Sequence, residues 1–310
     1  MPFTDSLPIR FRQFLFLFIL IFTPAFFVFA EASLENPELL SKIIPQLTAH
    51  YFRPLTPAEL QAKSLSELFS SLDKGTHLKS VKTPALDFVR GLSEENSIKK
   101  VEQIQKRVGY IQVSFLGRRT APDFTEALES LDHEGIQNLI LDLRGNSGGS
   151  IESGVEIIEN FVPEGNLLFT FQGKTNKEAK RYSQKKKTAS FPLIVLIDGR
   201  TASIAEIIAF ALQRYAHATL IGEPTYGKRS IQEMFPVDAT HTLFLTTGHF
   251  ILPDYPTDKV QPDILMSSEK AFEKARLTIT EKEAKRYLLT ETETGVRNGK
   301  AVKAAAAPQL

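Results

Sequence analysis

The sequence contains no cysteine and no tryptophan among its 310 residues. The absence of cysteine excludes disulfide bonds, thiolate metal sites and a cysteine nucleophile, but it is compatible with an oxidising compartment. An excess of one charge is also missing, because 37 Lys and Arg stand against 36 Asp and Glu. A nearly neutral chain has no electrostatic attraction for nucleic acid or for an anionic membrane surface, so neither is expected as a partner.

The six histidines lack a metal-binding spacing. No H-E-x-x-H pattern is present, and the histidines are spread along the chain. They are interpreted as structural or surface residues: His50, His77, His133, His217, His241 and His249. The sequence therefore predicts no metal site and no cofactor.

An apolar run lies close to the N-terminus. Arg10 and Arg12 precede a run that ends in Val28-Phe29-Ala30, residues typical of a signal-peptide cleavage site. The pattern predicts a signal peptide over residues 1–30 and an exported protein, located in the periplasm. An uncleaved anchor remains an alternative, because the run approaches the ~17 residues that can cross a bilayer. Membrane contact would then be confined to this segment.

The pattern of apolar residues divides the rest of the chain. Residues 31–78 have apolar positions at three- and four-residue steps, which predicts a small helical N-terminal module. Residues 79–107 are rich in Lys and Glu and are interpreted as a connector. Residues 108–267 alternate between strand and helix patterns and form the predicted core. Residues 268–310 are expected to form a C-terminal helix and, after Thr290, a mobile tail.

Repeated strand and helix patterns predict a layered α/β core with right-handed crossovers. The predicted strands are 108–115, 138–143, 167–171, 193–197, 230–237 and 243–252. The predicted helices are 120–133, with Thr120 as N-cap, 150–161 and 204–215. The polar stretch 174–190 is interpreted as an exposed flap or loop.

Two segments combine a strand end with a helix start. The first is Asp142-Leu143-Arg144-Gly145-Asn146-Ser147-Gly148-Gly149. Its glycines permit backbone N–H groups to converge on an oxyanion, although an ordinary turn explains the segment equally well. The second is Gly199-Arg200-Thr201-Ala202-Ser203-Ile204-Ala205-Glu206, which places Ser203 at a helix N-terminus. Ser203-x-x-Glu206 also fits a capping box, in which the serine has only a structural role.

The third segment is Gly222-Glu223-Pro224-Thr225-Tyr226-Gly227-Lys228-Arg229-Ser230-Ile231-Gln232. It nearly matches the phosphate-loop pattern G-x-x-x-x-G-K-[ST]. Arg229 stands where that pattern needs a hydroxyl, and the residues that follow predict a strand where a phosphate loop opens a helix. Nucleotide binding is therefore not expected.

Taken together and in this order, the three segments resemble those of the carboxyl-terminal processing (tail-specific) proteases. The resemblance covers about residues 108–265, includes the ending Val260-Gln261-Pro262-Asp263-Ile264, and extends more weakly to the helical module around Phe69–Leu78. It implies a crotonase-like (ClpP/crotonase-type) α/β fold. It also implies that Ser203 is the nucleophile, Lys228 the general base and Gln232 the residue that orients the lysine. The oxyanion would be held by backbone N–H groups of Gly149, or Gly148, and of Ile204.

This set of residues is chemically consistent. A serine hydroxyl needs a base, and a lysine serves as one only when it is neutral, which burial in an apolar pocket favours. A glutamine can accept a hydrogen bond from the amine without adding negative charge. The sequence thus predicts an exported serine endopeptidase that acts on polypeptides. A catalytically silent peptide-binding or scaffold protein of the same fold is the alternative, and a crotonase-like acyl-CoA enzyme has no support beyond the implied fold.

Two departures from the family pattern stand out. Residues four apart on an extended strand lie about 13 Å apart, so the chain must bend for Lys228 to meet Gln232. A glycine after the lysine, common in the family, would make this bend easy, but Arg229 stands there in this sequence. In addition, only 29 residues, 79–107, separate the helical module from the core. That is too few for the PDZ domain that most relatives carry there, so recognition of substrate tails by such a domain is not expected. The oligomeric state is not determined by the sequence.

Overall fold

The computed structural model of the chain describes residues 36–80, 97–174, 178–186, 188–189 and 191–297, with the backbone alone from 283 to 297. Its helices are α1 (Pro37–His50), α2 (Pro57–Leu60), α3 (Leu65–Ser70), α4 (Thr120–His133), α5 (Ile151–Glu159), α6 (Ile204–Tyr215) and α7 (Ser268–Arg297). Its strands are β1 (His77–Ser80), β2 (Ile98–Gln105), β3 (Val108–Val113), β4 (Asn138–Asp142), β5 (Leu167–Gly173), β6 (Glu178–Tyr182), β7 (Leu193–Ile197), β8 (Thr219–Gly222), β9 (Ser230–Pro236), β10 (His241–Ile251) and β11 (Ile264–Leu265). The predicted signal peptide and residues 81–96 of the predicted connector lie outside the described residues.

A six-stranded sheet forms the centre of the molecule, in the order β11-β8-β7-β4-β3-β2. Its strands are parallel except for the antiparallel edge pair β2–β3. Every residue of β4 and β7 is buried, as expected for parallel strands covered on both faces. One face packs on α4, α5 and α6, and the other packs on Ala271 and Ala275 of α7. This is a layered α/β core, and the predicted fold class is confirmed.

A second sheet is antiparallel and is organised around β10. This strand pairs with β9, with β1 and with β5, and β6 pairs with β5. The pairing of β9 with β10 is irregular at Thr247, because Gln232 is opposite Thr246 whereas Ile231 is opposite Gly248. Such a bulge bends the strand pair locally. The bend lies where β9 carries Gln232, one of the predicted site residues.

The N-terminal helices pack on this second sheet. Asn36 Oδ1 accepts a hydrogen bond from the Leu39 N–H and caps α1, and Thr56 and Glu59 form a reciprocal capping box at α2. Buried side chains of α1 and α3, and Tyr51 directly after α1, share one apolar cluster with two buried leucines of β10: Ile43, Leu47, Tyr51, Leu68, Leu243 and Leu245. The module is therefore joined to the core through β10.

Several predicted elements differ from the structure. Residues 98–105 of the predicted connector form β2, whose largely exposed edge position explains why its sequence is so polar. The predicted loop 174–190 contains the exposed strand β6. Thr120 is the first residue of α4, and its Oγ1 accepts from the Gly117 N–H while Arg119 occupies the N-cap. Helix α7 continues to Arg297, beyond Thr290, where the tail was expected to begin.

Candidate active site

Ser203 lies at the N-terminus of α6 in a backbone conformation that is rare for a residue with a side chain. Its φ is 59° and its ψ is −129°. Conformations of this kind cost about 1–3 kcal/mol and persist only where the surroundings impose them. The nine consecutive residues from Ile204 to Leu212 of α6 are all buried, so the helix is anchored in the core. The strained serine is thus held on a rigid element with the positive end of the helix dipole behind it.

The glycine turn after β4 packs directly against Ser203. Gly148 and Gly149 have φ values of 99° and 139°. A Cβ placed on Gly148 would lie 2.8 Å from the Ser203 Cβ and 3.3 Å from its Oγ. A Cβ on Gly149 would lie 2.2 Å from the Leu116 carbonyl oxygen. Glycine is therefore required at both positions, by backbone conformation and by space.

The backbone N–H groups of Gly148 and Gly149 differ in whether they already have a hydrogen-bond acceptor. Gly148 N–H donates to Asn146 Oδ1 at 2.9 Å, so this group is already engaged. The Leu116 N–H donates to the Gly148 carbonyl oxygen, and the Leu116 carbonyl oxygen accepts from the Ser150 N–H. Within the described ranges, neither Gly149 N–H nor Ile204 N–H donates to a protein acceptor. Of the predicted oxyanion donors, Gly149 and Ile204 are the two that remain available for a ligand.

A buried carboxylate, Glu206, connects the serine segment to the lysine segment. It is fully buried and accepts four hydrogen bonds. Oε1 accepts from the Thr225 hydroxyl at 2.5 Å and from the Gly227 N–H at 2.8 Å. Oε2 accepts from the Ser203 N–H and from the Lys228 N–H, both at 2.8 Å. Glu206 therefore makes its half of the predicted capping box and also fixes the third segment.

Lys228 is partly buried and bonds to Gln232. Its Nζ donates to Gln232 Oε1 at 2.6 Å, and burial lowers the pKa of the amine from its ordinary value. Across the described residues, Lys228 forms no ion pair that would oppose this shift. The other end of the amide, Gln232 Nε2, donates to the Gly75 carbonyl oxygen. The structure thus brings Lys228 and Gln232 together.

The separation expected for two residues on one extended strand does not apply here. Strand β9 begins only at Ser230, so Lys228 precedes it, and both side chains are long. Arg229 does not hinder the contact, because its guanidinium lies 5.2 Å from the Phe250 ring and donates to the Thr257 carbonyl. Gly227-Lys228 is followed by strand β9, as predicted, whereas a phosphate loop is followed by a helix.

A sequence profile of peptidase family S41 matches residues 107–266, half of the chain and all three segments of the site. The chain belongs to peptidase family S41. The carboxy-terminal processing protease CtpA of Bacillus subtilis (strain 168) is 33% identical over 153 residues, which are 49% of this chain and 33% of that protein. The chloroplastic carboxyl-terminal-processing peptidase 1 of Arabidopsis thaliana is 33% identical over 159 residues, 51% of this chain and 32% of that protein. The similarity spans about a third of the length of these S41 relatives.

A solved structure shares the fold over most of its length. It is that of a lipoprotein from Streptococcus agalactiae, which is 16% identical, covers 79% of this chain and 96% of that chain, and has a TM-score of 0.60. At this identity the similarity concerns the fold alone.

Three residues that contact the candidate site were not recognised as such in the sequence. Glu206 was considered only as a helix cap, Asn146 only as part of a turn, and Gly75 only as part of the weaker resemblance around Phe69–Leu78. The first two stand inside the quoted motifs, so their positions carried a signal. Among the described residues, no cluster of three or more His, Asp or Glu side chains is arranged to hold a metal ion.

Proposed function

We propose that the protein is an exported serine endopeptidase in which Ser203 and Lys228 form a catalytic dyad. Its substrates are polypeptides, and its role is C-terminal processing or protein quality control. The names of the curated relatives, which are carboxyl-terminal processing proteases, support this class of activity. Export follows from the predicted signal peptide at residues 1–30 and gives a periplasmic location. No helix in the described ranges is both long and apolar enough to cross a bilayer.

The observation that carries the proposal is the environment of the Lys228 amine. Burial lowers its pKa, and its hydrogen-bond partner is a neutral amide. A carboxylate in that place would favour the charged ammonium, which cannot accept a proton. Glu206 binds the backbone N–H of Lys228 and three other donors. The surroundings therefore favour the form of lysine that a general base requires.

The proposed reaction uses this amine twice. In the first step the Ser203 Oγ attacks the carbonyl carbon of the scissile peptide bond while Lys228 Nζ takes the hydroxyl proton. A carbon–oxygen bond forms, and the carbonyl electron pair moves onto the oxygen. In the second step the oxyanion electron pair re-forms the carbonyl, the carbon–nitrogen bond breaks, and the Lys228 ammonium gives its proton to the leaving amine. Water then hydrolyses the acyl-enzyme by the same sequence of proton transfers.

The developing oxyanion is assigned to the N–H groups of Gly149 and Ile204. Both are available: Ile204 follows Ser203 along the chain, and Gly149 follows Gly148, which packs against Ser203. Loss of one such donor typically costs about 2.7–4 kcal/mol of transition-state stabilisation. Gly148 contributes by allowing the turn to approach the serine.

The test is labelling with a fluorophosphonate probe, followed by mass spectrometry to locate the modified residue. We expect the label on Ser203 and hydrolysis of unfolded polypeptides. Ser203→Ala should abolish labelling and lower hydrolysis by about 10³-fold or more. Lys228→Ala, in which the serine is intact, should also abolish labelling and lower hydrolysis. Ser130→Ala, on the exposed surface of α4, is the matched control and should change neither. Peptide binding without labelling or hydrolysis would instead identify a catalytically silent peptide-binding protein.

A further inference from the structure

We propose that Gly75, in the N-terminal module, is a positioning residue for the catalytic base. Its backbone carbonyl fixes the Gln232 amide, and Asp73 in turn fixes Gly75. The inference rests on the proposed dyad and adds a part of the chain that lies outside the family match at residues 107–266.

The Gln232 amide can support Lys228 in only one of its two orientations. Nε2 donates to the Gly75 carbonyl oxygen, and Oε1 accepts from Lys228 Nζ. If the amide were reversed, its oxygen would face the Gly75 oxygen and its NH₂ group would face the amine. A carbonyl is an acceptor only, so Gly75 excludes the reversed orientation. The contact therefore keeps an acceptor directed at Lys228.

The Asp73 carboxylate holds Gly75 in this position. Oδ2 accepts from the Gly75 N–H at 2.8 Å and from the Thr246 hydroxyl at 2.8 Å, while Oδ1 accepts from the Thr76 hydroxyl at 2.6 Å. Thr246 N–H in turn donates to Thr76 Oγ1 at 3.1 Å. Thr246 is the residue of β10 directly opposite Gln232. Asp73 thus links Gly75 to Thr246, the residue of β10 that pairs with Gln232 of β9.

A side chain at position 75 would press on the groups that hold the Gln232 amide. A Cβ placed there would lie 2.7 Å from Asp73 Oδ2, 2.8 Å from Thr246 Oγ1 and 2.9 Å from Gln232 Nε2. Each of these contacts is shorter than real Cβ atoms show, and the three atoms belong to the network just described. An alanine would therefore displace the amide, the carboxylate or both. A side chain at position 75 is therefore accommodated only by moving the groups that position the Gln232 amide.

The direct test is Gly75→Ala in the full chain, with kcat and KM measured on an unfolded polypeptide. We expect kcat to fall by about 10- to 100-fold, since displacements of about 1 Å can cost as much, while KM stays within about twofold. The double variant Gly75→Ala/Gln232→Ala should be no slower than Gln232→Ala alone, because both changes remove one contact. Additive losses would show that Gly75 acts by some other route and would overturn the proposal.

Two further variants separate positioning from general stability. Ile43→Val weakens the core of the same module without touching the amide, so it should lower the melting temperature and leave kcat unchanged. Asp73→Ala removes the acceptor of the Gly75 N–H and of the Thr246 and Thr76 hydroxyls, and it should lower kcat by about tenfold. It decides the question if Gly75→Ala fails to fold. Wild-type kcat in folded Asp73→Ala would overturn the proposal.

The outcomes also separate this inference from the dyad itself. A wild-type chain that neither hydrolyses polypeptide nor takes a fluorophosphonate label would overturn both. A wild-type chain that is active, slowed by Gln232→Ala and unaffected by Gly75→Ala would overturn only the role of Gly75. The rate of fluorophosphonate labelling should follow kcat through the series, because both depend on the same base.

Discussion

Ser203 and Lys228 donate their backbone N–H groups to one and the same oxygen, Oε2 of Glu206. Both hydrogen bonds measure 2.8 Å, so the two nitrogens are no more than twice that distance apart. The serine begins a helix and the lysine precedes a strand of the other sheet, yet a single buried atom joins their main chains. Glu206 thereby sets the separation of the two segments without placing its charge on the Lys228 amine.

The role of Glu206 can be tested with Glu206→Gln. The amide replaces one acceptor oxygen by an NH₂ group, which would face at least one backbone N–H and break at least one of the four hydrogen bonds. We expect the free energy of unfolding to fall by about 2 kcal/mol or more, because buried donors lose their partner. We also expect kcat to fall by about 10²-fold as the serine and lysine segments separate. Urea unfolding and steady-state kinetics measure the two effects.

Glu126→Gln provides the control for this change, because it alters the same functional group on the exposed face of α4. It should change neither stability nor rate. A Glu206→Gln protein with wild-type kinetics would contradict the idea that this carboxylate spaces the two segments.

Gly148→Ala should disable the site, and Gly135→Ala is a closely matched control. Both glycines have positive φ, so both substitutions should cost about 1 kcal/mol or more in stability. Only the Gly148 Cβ would collide with Ser203, at 2.8 Å, whereas a Cβ on Gly135 meets no atom within 4 Å. We therefore expect hydrolysis to fall by about 10²-fold in Gly148→Ala alone. Equal rates in the two variants would argue against a close packing of turn and serine.

Local sequence patterns predicted the central elements well. Strand β7 was predicted with its observed bounds, because Leu193–Ile197 is a wholly apolar run between Pro192 and Asp198. Helix α6 was likewise predicted from its apolar stripe, which is buried as expected. In both cases the spacing of apolar residues within the segment itself shows which side chains are buried, so the element can be predicted from local sequence. The resemblance of three short segments then located the site on these elements.

The remaining features depend on contacts between distant parts of the chain. The hydrogen bond from Gln232 to Gly75 joins residues 157 positions apart, and no local pattern encodes it. Strand β2 was missed because an edge strand needs apolar residues only where it is covered. The lowered pKa of Lys228 is caused by burial, which follows from the packing of several segments. The sequence supplied the residue types, whereas their environment emerged only with the assembled fold.

Glu59 should stabilise the N-terminal module in a pH-dependent way. Hydrogen bonds from Arg53 lower the pKa of its carboxyl from 4.5 to about 2. A lowered pKa contributes stability above the ordinary value, and the contribution is lost as the pH falls from 4.5 towards 2. Glu59→Gln should therefore cost about 1 kcal/mol at pH 7, a modest value because Arg53 is 36% exposed and solvent screens its charge. Chemical unfolding at pH 7 and near pH 2 should show that the stability lost in Glu59→Gln is smaller near pH 2. An equal loss of stability at the two pH values would refute this prediction.

The rate of hydrolysis should rise with pH through the ionisation of Lys228. The base is active only as the neutral amine, and burial lowers its pKa below the ordinary 10.5. The neutral fraction therefore increases as the pH rises through this lowered pKa, and kcat/KM should climb tenfold per pH unit before reaching a plateau below pH 10.5. Measurements of kcat/KM and of the fluorophosphonate labelling rate across pH should show the same limb. In Lys228→Met, which keeps the length of the side chain but cannot accept a proton, the residual rate should lose this limb. A limb that survives in Lys228→Met would assign the ionisation to another group and remove the lysine from the reaction.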